Sequence, residues 1–240
     1  MTAAQTTSSG DLSPEARRAA FIVIPAYNEG ACLERVVRDV RRLYPNVVVV
    51  DDGSTDDTLE AARRSAAFCL RHAINRGQGA ALQTGIEYAL LRGAGCVVTF
   101  DADGQHDPAD IAALLAPICA GECDVTLGSR ALGRAVDMPA SRRVLIWLSV
   151  RFTRWVSRVR VTDTHNGLRA FSRRAAQGIH ITLDRMAHAS ELLDLIRRSG
   201  WRYREVAVRI RYTPYSLAKG QSPRGAVRIL IHYLLGRIMR

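Results

Sequence analysis

No stretch of the 240 residues approaches the roughly 18 to 20 uninterrupted apolar residues of a membrane span, so the chain is not expected to cross a bilayer. An apolar run is also missing near the start. The segment MTAAQTTSSGDLSPEARRA is small, polar and unpatterned, which argues against a signal peptide or membrane anchor and predicts a flexible tail over residues 1–19. The five cysteines, Cys32, Cys69, Cys96, Cys119 and Cys123, are an odd set without a CxxC pair. That is poor evidence for a zinc site or disulfide framework and predicts buried free thiols in a reducing cytoplasm. No repeat, low-complexity linker or second domain boundary interrupts the chain. Lysine is nearly absent, Lys219 being the one example, and acid is the scarcer charge: 34 basic residues face 23 acidic ones, a net charge of +11. Such a surplus favours polyanionic partners, whether nucleic acid, phosphorylated substrates or anionic lipid.

What is present is a folded-protein composition, 48% hydrophobic and 24% charged, at a length suited to one substantial α/β domain. Short apolar, β-branched runs alternate with helical patterns: FIVIPA then Gly30 to Leu43, VVVVDD then Asp56 to Ala67, FCLRHA then Gln78 to Leu91, GCVVTFDAD then Pro108 to Ala120, and finally DVTLGS. This alternation predicts a doubly wound α/β core with a mostly parallel sheet flanked by helices. Ligands of such sheets bind beyond the carboxyl ends of the strands. The polar motifs fall there: Pro25-Ala26-Tyr27-Asn28-Glu29 after the first strand, Asp51-Asp52-Gly53-Ser54-Thr55-Asp56 after the second, Asn75-Arg76-Gly77-Gln78-Gly79 after the third and Asp101-Ala102-Asp103-Gly104-Gln105-His106 after the fourth.

Beyond Gly128 the pattern becomes basic and amphipathic from Arg142 to Val159, with Trp147, Phe152 and Trp155. A polar turn, Asp163-Thr164-His165-Asn166-Gly167, follows. Then come a helix near Met186 to Arg198, a strand near Tyr203 to Tyr212, a loop holding Lys219 and a last basic-apolar helix over residues 223–240. Interfacial helices combine arginines and apolar faces in this way, and so do core or homodimer contacts.

Two carboxylates one residue apart at the end of a buried strand repel each other unless a cation compensates. Hard oxygen ligands suit Mg2+ or Mn2+, which keep positions open for substrate phosphates. Asp101 and Asp103 are therefore the candidate metal and nucleotide residues, one ligating directly and the other orienting water or ribose. Asp107 reads as a cap of the next helix. Asp51 and Asp52 can accept from a base or ribose, and Asp56 caps the following helix. Pro25 and Tyr27 can meet a base. Glu29 serves equally as a nucleotide contact or as a helix N-terminal charge.

The ordered series PAYNE, DDGSTDDT, NRGQGAA, DADGQHDP and GSR resembles family 2 glycosyltransferases of the GT-A fold, in the branch of dolichyl- or polyprenyl-phosphate mannosyltransferases, from about Phe21 to Ser222. The resemblance implies one catalytic domain over residues 20–222 and a nucleoside-diphosphate sugar donor. It implies that Pro25, Tyr27, Glu29 and Asp52 contact the nucleotide and that Asp101, Asp103 and Gln105 lie at the metal. It also implies inversion by direct displacement, with metal and basic groups stabilising the leaving diphosphate. A lipid phosphate acceptor is already anionic and needs positive charge, for which Arg130, Arg143, Arg169, Arg209 and Lys219 are candidates. Arg169 matches the family's Gly-Phe-Arg, here Gly167-Leu168-Arg169. Ser222 ends the Gly220-Gln221-Ser222 counterpart of a phosphate loop. A sugar hydroxyl acceptor would need a base, for which Glu191 is nominated against an orienting role in the acceptor loop. His106 and His188 read as structural, and His165 could face either substrate. A cytoplasmic protein, peripheral on the membrane's cytoplasmic face if the amphipathic segments bind lipid, is the expectation. A pyrophosphorylase would carry a GxGTRL-like loop where PAYNE stands. A nucleic-acid-binding protein would leave four acidic strand-end motifs unexplained.

Overall fold

The computed structural model describes residues 12–136, 138, 150–151, 159, 161–164, 166–182, 188–213 and 215. The expected tail through residue 19 is corrected at its end, where Pro14–Ala19 form helix α1. Ser13 accepts a hydrogen bond from the Ala16 amide at 3.2 Å and Pro14 supplies the first helical residue. Both are helix start signals.

Strands β1 (Ala20–Ala26), β2 (Asn46–Asp51), β3 (Phe68–Arg71) and β4 (Cys96–Thr99) are parallel and lie in the order β3-β2-β1-β4. They are joined by helices α2 (Leu33–Arg41), α3 (Thr58–Ser65) and α4 (Gln78–Leu91). Helix α5 (Asp110–Cys119) leads to β5 (Val125–Val136), and β6 (Arg169–Ser172) lies antiparallel between β4 and β5. The short helix α6 (Arg173–Gln177) and helix α7 (His188–Arg198) precede β7 (Tyr203–Arg211), which runs parallel to β5 at the edge. The seven-stranded sheet is mixed and mostly parallel, with helices on its faces.

The apolar runs are continuous because both sheet faces are buried. Alternate residues serve opposite faces. Ile22, Ile24, Val47 and Val49 pack with Leu33, Val36, Val37 and Val40 of α2 and with Leu114 and Leu115 of α5. Val23, Val48 and Val50 pack with Ala81, Leu82, Ile86 and Ala89 of α4. A Cβ on Gly85 would overlap the Val23 side chain, so α4 approaches β1 as closely as a bare backbone permits.

Register then sets the site. Ala26 pairs with Asp51, and Val23 pairs with Thr99. The loops after β1, β2 and β4 consequently leave the sheet along one edge, where Tyr27, Asp52 and Asp101 emerge.

Candidate active site

The centre is the turn after β4. Asp101 is held from both sides: Gln78 donates to its Oδ1 at 3.2 Å, and His106 Nε2 lies 3.0 Å from its Oδ2. Gly167 backs the carboxylate so closely that a Cβ there would overlap it. Arg169 opens β6 opposite Thr99 and is buried, with its guanidinium donating to the Thr164 carbonyl at 3.4 Å. Burial pushes the pKa of Arg169 down, while the nearby charges of Asp101 and Asp163 oppose that shift. Arg169 thus lies within electrostatic reach of the first carboxylate of the turn.

Asp103 Oδ1 accepts from the Gln105 amide at 3.0 Å. Burial, then the Asp101 charge, push its carboxyl up to about 6 from an ordinary 3.8, with Glu29 adding in the same direction. Ionising the two carboxylates together is expensive, and a hard divalent cation is the group that relieves such an expense. Among the described residues no three His, Cys, Asp or Glu side chains form a cation cage.

Asp52 is a clamp. Its buried carboxylate accepts from the Arg76 amide at 2.9 Å and the Gly77 amide at 2.7 Å, and meets His72 Nδ1 at 2.7 Å, while His72 Nε2 reaches Thr84 at 3.0 Å. One carboxylate thereby fixes the turn that opens α4, and α4 in turn presents Gln78 to Asp101. Asp51 Oδ1 accepts from the Ser54 amide at 3.0 Å, and Arg71 Nε lies 3.4 Å from Oδ2. The two aspartates share a strand end, yet their hydrogen bonds go to protein groups on different turns. Gly53 has φ +72, and a Cβ there would stand 2.6 Å from the Ile74 carbonyl carbon, so only glycine lets the two turns meet.

Of the PAYNE motif, Pro25 lies in buried β1 and Tyr27 is 44% exposed, open to a planar ligand. Asn28 takes φ 54, and its Oδ1 accepts from the Thr55 amide at 2.9 Å, joining the loops after β1 and β2. Glu29 accepts from Tyr215 Oη at 2.7 Å. Asp56 and Asp107 accept from the Thr58 amide at 3.1 Å and the Ala109 amide at 2.9 Å, turns just ahead of the helices, while the cap positions expected of them fall to Asp57 and Ala109.

Other expectations are corrected. Arg130 was a candidate for the acceptor phosphate, but its Nε and amide donate to Asp163 Oδ2 at 2.6 and 3.1 Å, and its Nη1 donates to Tyr212 at 2.6 Å. The Asp163 charge raises its pKa against the effect of burial. Glu191 was nominated as a base, but it is buried and accepts from the Thr182 hydroxyl at 2.7 Å and from the Thr182 amide. It orients a loop. Arg209 stays a candidate: it is exposed, with Asp107 at 3.1 Å and Asp110 at 3.5 Å as surface partners. Cys119 is exposed, in contrast to the buried thiols Cys32 and Cys123. Arg143, Lys219, Ser222, His165, the side chain of His188, the aromatic stretch around Trp147 and the segment 223–240 lie outside the described residues.

Sequence reasoning missed Gln78 as a partner of Asp101, the Asp52–His72–Thr84 chain, the Arg130–Asp163–Tyr212 cluster and Tyr215. Spacing along the chain carries no trace of a partner 20 to 186 residues away. The glycines at 53 and 167 were the available signal, since each marks a place where another group comes too close for a side chain.

A mixed, mostly parallel sheet with an acidic turn beyond its fourth strand defines the class of GT-A nucleotide-diphospho-sugar transferases. Residues 21–178 match the model of Glycosyl transferase family 2, and the chain belongs to that family. It is a glycosyltransferase. A UDP-N-acetylglucosamine–dolichyl-phosphate N-acetylglucosaminyltransferase of Methanococcus voltae is 32% identical, over 90% of this chain and 94% of that protein. A polyprenol monophosphomannose synthase of Mycolicibacterium smegmatis is 33% identical, over 68% of this chain and 64% of that one. Among solved structures, glucosyl-3-phosphoglycerate synthase of Mycobacterium tuberculosis, crystallised with Mn2+, UDP-glucose and phosphoglyceric acid, superposes with a TM-score of 0.68. It is 22% identical, over 93% of this chain and 81% of that one, a likeness of fold.

Proposed function

We propose that this glycosyltransferase moves a hexose from a nucleoside-diphosphate sugar, a GDP- or UDP-sugar, onto a polyprenyl or dolichyl phosphate, with inversion and with Mg2+ or Mn2+. The observation that carries the reading is the Asp101–Asp103 turn, where burial and mutual repulsion make the second charge costly. The relatives' printed acceptors, dolichyl phosphate and polyprenol, support the lipid phosphate. The protein works at the cytoplasmic face of a membrane, where such an acceptor is presented.

Each residue has a task in this reading. Tyr27 stacks on the donor base. Asp52 holds the Arg76–Gly77 turn so that its backbone can approach the nucleotide. Asp103 and the Gln105 side chain hold the cation, and Asp101, oriented by Gln78 and His106, holds donor ribose or water. When bound, the cation neutralises the diphosphate as it leaves. Arg169 balances the charge of Asp101 from beneath. The acceptor phosphate is anionic at neutral pH and attacks without a general base, which agrees with Glu191 being taken up by Thr182. Arg143, Arg209, Lys219 and Ser222 are the proposed phosphate contacts.

The test is a donor screen by thermal shift with Mg2+ or Mn2+, followed by turnover with a polyprenyl phosphate against an oligosaccharide acceptor. We expect stabilisation by one donor class, turnover with the lipid phosphate, and loss of both in Asp103→Ala. Stabilisation by no donor, or metal-dependent turnover retained in the mutant, would refute the site.

A further inference from the structure

Glu29 and Tyr215 stand 186 residues apart in sequence and 2.7 Å apart in space, the tyrosine hydroxyl donating to Glu29 Oε2. The Cys32 thiol lies 3.5 Å from the same oxygen and donates to the Ala102 carbonyl at 3.0 Å. One buried thiol therefore spans the Glu29 carboxylate and the peptide that carries Asp103. The Glu29 amide is fixed as well, donating to Thr58 Oγ1 at 2.7 Å, so the carboxylate is anchored at both ends of its residue. Through Cys32, Glu29 is a third acid tied to the Asp101–Asp103 turn, where its charge adds to the cost of ionising Asp103, and it accepts from the Tyr215 hydroxyl.

We infer that Glu29 is an outer carboxylate of the cation site and that Tyr215 is a positioning residue that sets how much of its negative charge that site receives. The inference rests on the proposed use of a divalent cation. A hydroxyl donating to a carboxylate places positive charge beside it and withholds part of its field from a neighbour. Removing the hydroxyl returns that field to the turn, whereas removing the carboxylate's charge takes the field away. A packing role predicts something else: loosening the loop by either change would weaken cation binding both times.

The experiment measures Mn2+ alone binding to the full chain at pH 7.5 by electron paramagnetic resonance, in wild type, Tyr215→Phe, Glu29→Gln and Asp103→Asn. Melting temperatures show which variants fold. We expect Tyr215→Phe to bind Mn2+ about 3- to 10-fold more tightly and Glu29→Gln to bind it more weakly by a similar factor. The double variant should follow Glu29→Gln, because without the charge the hydroxyl has nothing to withhold. Shifts in the same direction, or no shift in either variant, would overturn the inference while Asp103→Asn still abolishes binding. If Asp103→Asn leaves Mn2+ binding intact, the cation reading itself fails. Should Tyr215→Phe not fold, Glu29→Gln against Cys32→Ala tests the same sign, because alanine removes the S–H that lies 3.5 Å from Glu29 Oε2.

Discussion

Burial beside Asp101 makes the charged form of Asp103 costly, and pH reads the sign of that cost. A carboxyl raised to about 6 binds a proton in the folded chain at pH values where the unfolded chain has lost it. Without metal, the stability this group contributes is fully present below about 3.8 and is lost as pH rises through about 6. In EDTA, Asp103→Asn should be more stable than wild type at pH 7.5, by on the order of 1–2 kcal/mol, with the difference shrinking as pH falls below about 6 and vanishing only below about 3.8. Thermal melts across that range check it, and an equal offset at both ends would sink it. Asp52 gives the opposite result. Its carboxylate satisfies two backbone amides of the Arg76–Gly77 turn, so Asp52→Ala should cost the donor-free protein about 2–3 kcal/mol, roughly 4–12 °C in Tm. If it served the nucleotide alone, that melt would not move.

Elements were legible where their physics is local. β1 and β2 are read from apolar runs because both faces of those strands are buried, and α2 from Leu33, Val36, Val37 and Val40 on one stripe. The turn chemistry of PAYNE, the DDGS motif and the Asp101 segment marked the strand ends where the loops leave the sheet, again from local signals. β6 was not legible: Arg169–Ser172 is four residues long, and what makes it a strand is antiparallel pairing with β4 and β5, far off in sequence. Nor could spacing reveal that Arg130 would be bound by Asp163, or Glu191 by Thr182, since a charge and its partner leave no mutual pattern. The close packing of α4 on β1 is a further consequence at this scale. Gly85→Ala should force the helix off Val23 and destabilise by about 1–3 kcal/mol, while donor affinity of the folded fraction changes little. A chemical-denaturation curve checks the first part and calorimetry the second. An unchanged midpoint would mean that the helix has room to spare.

At the scale of the whole molecule the charges are divided. The acidic motifs lie in the first half at the strand ends, and the surplus that brings the chain to +11 is concentrated after Ser141. An enzyme that takes an anionic lipid from a membrane gains from this division, because a basic surface meets the bilayer while the acidic turn keeps the cation and the donor on its own side. No helix among the described residues is long and apolar enough to cross a membrane. The attachment proposed from the charge division is electrostatic and peripheral. Attachment of that kind is screened by salt, with a Debye length of about 10 Å at 0.1 M. The chain should co-sediment with vesicles containing anionic phospholipid at 50 mM salt, release on the order of tenfold by 500 mM, and ignore vesicles of neutral lipid at both. Binding that survives high salt would mean that apolar insertion, not charge, holds the protein. Failure to bind at low salt would leave the arginine-rich half facing its phosphate acceptor alone, and the membrane reading would be abandoned while the donor site stood.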